Sequence, residues 1–220
     1  PKILFHNLFT NNIAYVQIGF DATSIPMDKI PYLSLIGSLV LGMGTRHHSY
    51  MEISQLLGIH TGGLRSWHFT STTINDHKKI LSYIFFSGKS LMDNLDQLFD
   101  IWQEVILDYN FDNPKRLVEI IKSSKSSMED SILSSGNHYV LSRLNSYQSL
   151  FGQYNELIEG ISYYRFLKTL LNRAEKNPNE VVEEFRGVAQ NLFTKENILV
   201  NITAPENDYK KIEKRVLSLT

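Results

Sequence analysis

Seven histidines are the natural place to look for chemistry in this chain, and two of them are adjacent. In "HHSYME" (His47–Glu52), His48 and Glu52 stand four residues apart, a spacing that brings side chains together on one helix face. A zinc site needs three or four convergent ligands, with partners behind them to orient the rings. Here Ser49 is expected to cap a helix, with Glu52 closing a capping box, which leaves His48 outside that helix in a loop. His60 and His68 flank Gly62-Gly63, and His68 is read as a sheet-face residue beside Trp67. His6, His77 and His138 are read as loop residues. Nucleophilic chemistry has no better footing. "SSGNH" brings Ser134 and His138 close in sequence, but a triad is defined by geometry, and no Gly-x-Ser-x-Gly elbow is present. Glu183-Glu184 and Glu129-Asp130 read as polar helix faces. Tyr163, Tyr164 and Arg165 read as core with a snorkelling cation. The residues taken alone support no metal site and no catalytic constellation.

The elements that must position these residues follow from periodicity. "NIAYVQIGFDAT" (Asn12–Thr23) alternates with a period of two, so it is expected to be a strand with one apolar face. A helix over Met27–Met43 follows, with Pro26 near its start and glycines at its end. A short helix is expected after Ser49. Leu64–Thr73 and Lys78–Ser90 form an expected antiparallel hairpin around "INDH". Helical spacing then runs from Leu91 to Ile106, and a new helix from Pro114 to Leu133. Three more helices are expected over Tyr139–Phe151, Tyr163–Ala174 and Glu180–Leu192. Glu196–Ala204 returns to strand alternation before a closing amphipathic helix. The order fits an α+β domain: an antiparallel sheet with helices packed on one face.

Composition sets the outer limits. The 220 residues are 42% hydrophobic and 20% charged, with a net charge of −1, which leaves no electrostatic footprint for nucleic acid or an anionic membrane. No apolar run reaches the length of a membrane span. The chain has no cysteine, so a thiol nucleophile, a disulfide framework and a cysteine-based zinc site are excluded. It opens on Pro1 with no secretory pattern, and a piece of a longer polypeptide is expected from the missing Met.

Four segments in order carry a resemblance: "HNLFTNNIAYVQIGFD", "IPYLSLIGSLVLGMGT", "HTGGL" and "GISYYRFLKTL". Together they resemble the peptidase-associated domain of presequence protease-type zinc metallopeptidases, subfamily C of the insulinase/pitrilysin superfamily. The resemblance implies a single non-catalytic domain over residues 1–220, the third of four related α+β domains that close around a peptide chamber. Zinc would belong to the first domain of the parent enzyme, on an inverted His-x-x-Glu-His motif. Aligning Gly44-Thr45 with the turn that ends the motif helix places Leu35, Ser38 and Leu39 at the His, Glu and His positions. Two leucines cannot ligate zinc, and a serine cannot act as general base at neutral pH. Glu119 and Glu129 on the later helix would hold zinc poorly without the histidines.

By the same resemblance, Thr61, Gly62, Gly63, Leu64 and Arg65 are expected to border the substrate, and Thr61–Phe69 to be an edge strand facing the chamber. The expected partners are the N-terminal catalytic half, the following domain of the same polypeptide and a peptide substrate, in the cytoplasm or an organelle matrix. The expected function is a wall of a chamber that degrades short unstructured peptides. An independent binding or assembly module of the same fold is the alternative, and an enzyme built on His47 and His48 is a weaker third.

Overall fold

The computed structural model describes residues 1–219. Strand β1 (Lys2–Asn7) is followed by β2 (Ile13–Asp21), a 3-10 turn at Met27–Lys29 and α1 (Ile30–Gly42). Next come α2 (Tyr50–His60), β3 (Leu64–Thr73) and β4 (Asp76–Leu91), then α3 (Leu95–Leu107) and α4 (Pro114–Ser134). Helices α5 (Gly136–Ser146), α6 (Leu150–Ile158), α7 (Ile161–Lys176) and α8 (Pro178–Leu192) precede β5 (Ile198–Ala204) and α9 (Glu206–Leu219). The sheet order is β1-β5-β2-β4-β3, so β3 is an edge strand.

Alternation along the strands decides the layers. Ala14, Val16, Ile18 and Phe20 of β2 lie in register with Ser90, Gly88, Phe86 and Ile84 of β4, and all of these point to one face. There they meet helices: the rings of Phe20 and Phe86 lie against Phe193 just after α8, and Tyr209 of α9 packs on Phe5 of β1 at 4.4 Å. The other face keeps Tyr15, Trp67 and Phe69 about two-fifths exposed. Helix α1 reads as apolar almost all round because it is buried almost all round, with Leu33, Leu35, Ile36, Leu39 and Val40 at 2% exposure or less. It packs against β3, and Gly37 makes that approach possible: a Cβ there would lie 2.2 Å from Ser66 Oγ.

The expected strands β2 to β5 are present and mutually antiparallel where they pair. Several details differ. β1, not anticipated, pairs parallel with β5, Phe5 opposite Ile202, so the sheet is antiparallel except at that seam. β5 starts at Ile198, after a 3-10 turn over Lys195–Asn197. The helix expected over Tyr139–Phe151 is two helices, because the Ser149 side chain accepts from the Gly152 N–H and caps α6 afresh. His6, His77 and His138 are not in loops; they lie in β1, β4 and α5.

Candidate functional site

At the start of β3 the chain bends around two glycines. The Gly62 N–H donates to the Lys89 carbonyl at 2.7 Å, extending the β3–β4 ladder one step beyond the strand. Gly63 has φ +95°, which an L side chain rarely adopts, and its N–H donates to Thr61 Oγ1 at 2.9 Å. The aliphatic stem of Lys89 lies across Gly62 so closely that a Cβ there would come within 2.5 Å of it.

This bend rims a large cavity, about 620 Å³, which opens on the helix-free face of the sheet. Its floor is polar and connected. Asn201 Nδ2 donates to Gln17 Oε1 (3.0 Å), Gln17 Nε2 to Ser87 Oγ (3.1 Å), and Trp67 Nε1 to the same Ser87 Oγ (2.9 Å). Beside it, Trp67 stacks on Phe85 with centroids 4.7 Å apart. Of the five residues expected to border a substrate, Gly62, Gly63, Leu64 and Arg65 line this cavity. Thr61 lines a smaller adjoining one with His60 and Leu91. The cross-strand partners Gln17, Ser87, Lys89 and Asn201 were not anticipated. Their signal in the sequence is only alternation, which cannot say which strands become neighbours.

The degenerate motif positions lie elsewhere, together on α1. Leu35 and Leu39 are buried at 1% and 0% exposure, whereas Ser38 is exposed. Glu119 and Glu129 are held by cations on their own helix, Arg116 and Lys125, and Glu129 also accepts from Tyr164. Among the described residues no group of three or more His, Asp or Glu side chains is placed to hold a metal ion.

His48 lies outside α2, and Ser49 and Glu52 form the capping box. Its ring is not left to solvent, however. Nδ1 lies 2.7 Å from Glu104 Oε1, which also accepts from Thr45 Oγ1, so the loop after α1 is pinned to α3. Glu104 raises the His48 pKa above the ordinary histidine value through this hydrogen bond and its charge. His68 is on the inner face of β3, with Nε2 2.8 Å from Ser82 Oγ; Ser82 accepts in turn from the Tyr154 hydroxyl at 2.7 Å. Burial pushes the His68 pKa down to about 4. Glu184, read from sequence as a polar-face carboxylate, instead accepts from Tyr32 and Arg173. Ser134 and His138 are separated by the break between α4 and α5.

Comparison with known proteins gives a consistent answer. The model of the domain family associated with peptidases of family M16, subfamily C, matches residues 1–170. Protein HypA of Clostridium perfringens is 27% identical over 97% of this chain and 22% of its own length. Presequence protease 1, chloroplastic/mitochondrial, of Arabidopsis thaliana is 27% identical over 98% of this chain and 20% of its own. The chain thus spans about a fifth of these relatives. Among solved structures, a conserved protein from Enterococcus faecalis superposes with a TM-score of 0.70 at 12% identity, covering 99% of this chain and 50% of that one. A peptidase M16 inactive domain from Pseudomonas fluorescens superposes at 0.61 and 13% identity, covering 99% and 48%. These structures carry the fold, and the family match over more than three-quarters of the sequence carries the kinship: the chain belongs to this family of peptidase-associated domains.

Proposed function

We propose that this chain is a non-catalytic domain of a larger zinc metalloendopeptidase that degrades short unstructured peptides. In this reading it forms part of the wall of a closed peptide chamber and packs against the catalytic half and the following domain of the same polypeptide. The zinc belongs to the catalytic domain, and the compartment is the cytoplasm or an organelle matrix. One observation carries the reading: the segment expected to meet substrate, Gly62–Arg65, rims the sheet-face cavity and leads into an edge strand. An edge strand offers unpaired N–H and C=O groups on which an extended peptide can add. The names of the relatives, presequence proteases among them, agree with it.

The test uses the full-length polypeptide that carries this chain. A photoreactive residue at Arg65 should crosslink a labelled unstructured peptide, and one at Lys214, exposed on α9, should not. Equal labelling at both positions, or none at Arg65, would remove the substrate-contact reading. The alternative, an assembly module with no peptidase partner, predicts a parent that turns over no peptide at all.

A further inference from the structure

We propose that the cavity at the start of β3 is a receptor for a carboxylate side chain, a glutamate or aspartate of an extended peptide lying along β3. The proposal rests on the reading of β3 as a substrate-bordering edge strand and adds the chemistry of what that strand selects.

The cavity is lined by two cations, Arg65 and Lys89, and by no carboxylate. Both side chains are exposed, and neither takes part in an ion pair among the described residues, whereas Arg116, Arg143, Arg173, Arg186 and Arg215 each hold an acid. The hydrogen-bonding floor adds a donor. Ser87 Oγ already accepts from Gln17 and from Trp67, so its own hydroxyl hydrogen is left to donate.

Register supplies the geometry. Arg65 pairs with Ser87, so Lys89 is its diagonal neighbour on the same face of the sheet. Apart from its chain neighbours, nothing lies within 4 Å of where a Gly63 side chain would begin, so the entry to β3 is uncrowded at that point. A peptide strand added to that edge places alternate side chains on the cavity face. One opposite Arg65 meets that cation directly and has Lys89 on the next strand of the same face. A guanidinium and an ammonium at such a spot prefer a carboxylate over a neutral amide of the same shape.

Trp67 makes the binding observable, since its ring borders the floor through Ser87. Tryptophan emission of the 220-residue chain carrying Trp102→Phe, which leaves Trp67 as its one tryptophan, is titrated with three hexapeptides. One is capped at both ends with a single central glutamate, one replaces the glutamate by glutamine, and one is uncharged in its side chains with a free C-terminal carboxylate. The expected result is saturable binding of the glutamate peptide, weaker by about fivefold or more for the glutamine peptide and reduced by added salt. Arg65→Gln and Lys89→Met should each erase most of that preference, the second keeping the stem over Gly62. Arg65→Glu with Lys89→Glu should reverse it toward a lysine peptide, a gain that misfolding cannot produce.

Equal binding of the glutamate and glutamine peptides, or no binding of either, overturns the proposal. Preference for the free C-terminus over the side-chain carboxylate overturns the source assigned here. So does binding that vanishes in the full-length polypeptide, because the cavity is then filled by a neighbouring segment. The measurement needs no cleavage: a parent that turns over no peptide, with the glutamate preference intact, would sink the peptidase reading and leave this one standing.

Discussion

At the scale of single residues, the leucines of α1 fill a core and the half-buried histidine of β3 is partnered at its edge. Leu35 and Leu39 occupy space that two imidazoles could enter only at the cost of desolvating them without a metal. The chain is therefore expected to retain no stoichiometric zinc after dialysis, and metal analysis checks this directly. Installing Leu35→His, Ser38→Glu and Leu39→His together should give neither tight zinc nor turnover, because Glu119 and Glu129 on the later helix are already held by Arg116, Lys125 and Tyr164. One zinc per chain in either protein would contradict it. Leu39→Ala alone should cost about 2–5 kcal/mol in a denaturant titration. His68 predicts a pH effect whose sign is fixed. Its folded pKa, about 4, lies below the ordinary 6.5, so the unfolded chain takes up the proton first on acidification. Stability is full above pH 6.5 and declines as the pH falls toward 4, by on the order of 3 kcal/mol from this group alone. Urea unfolding at about pH 7.5 and about pH 4.5 should show the decline, and His68→Gln should reduce it. An unchanged pH difference in the variant would assign the acid sensitivity to other groups.

At the scale of elements, α1 and β3 form one unit through Gly37 and Ser66. A methyl at Gly37 would meet Ser66 Oγ at 2.2 Å and its Cβ at 2.5 Å, and neither can retreat within a packed helix–sheet interface. Gly37→Ala should destabilise by about 1–3 kcal/mol although alanine favours helix, and Ser66→Gly in the same chain should restore part of the loss. Thermal melts of the four members of that cycle decide it, and additive effects would mean the contact is not what matters. This pairing shows where sequence reading stops. The apolar run of α1, the Ser49 capping box and the alternation of β2, β3 and β4 are local signals, and each element formed where they stand. That a glycine inside α1 faces a serine inside β3 is a tertiary fact with no local trace. The same limit merged α5 with α6: Tyr139, Tyr147 and Leu150 continue an apolar pattern, and the new cap at Ser149 looks like any other serine.

At the scale of the whole molecule, one side of the sheet is built from its two strands most distant in sequence. β1 lies beside β5 in parallel, a seam made possible only by the long stretch of chain between them. Nothing in "KILFHN" announces this, because a six-residue strand with a His and an Asn carries a weak signal and its partner is remote. The candidate site was legible only in part for the same reason. Gly62–Arg65 is contiguous and could be picked out, while Gln17, Ser87, Lys89 and Asn201 come together only when β2, β4 and β5 align. The seam also does more than extend the sheet. Ile3 and Phe5 pack onto the core with Tyr209, and Asn7 Oδ1 accepts from the Glu206 N–H at 3.1 Å, capping α9. Removing residues 1–7 would uncover the apolar contacts of Ile3 and Phe5, leave α9 without its cap and turn β5 into an open edge. Loss of two partly buried apolar side chains and of a cap amounts to about 3–4 kcal/mol, a fall of roughly 5–15 °C in melting temperature for a domain of this size. An exposed β5, alternating Ile198, Val200 and Ile202, should also recruit other chains, so light scattering should rise at temperatures where the intact chain stays clear. If the shortened chain melts at the same temperature and remains clear, β1 is an appendage, and the four antiparallel strands with their helices suffice to hold the fold.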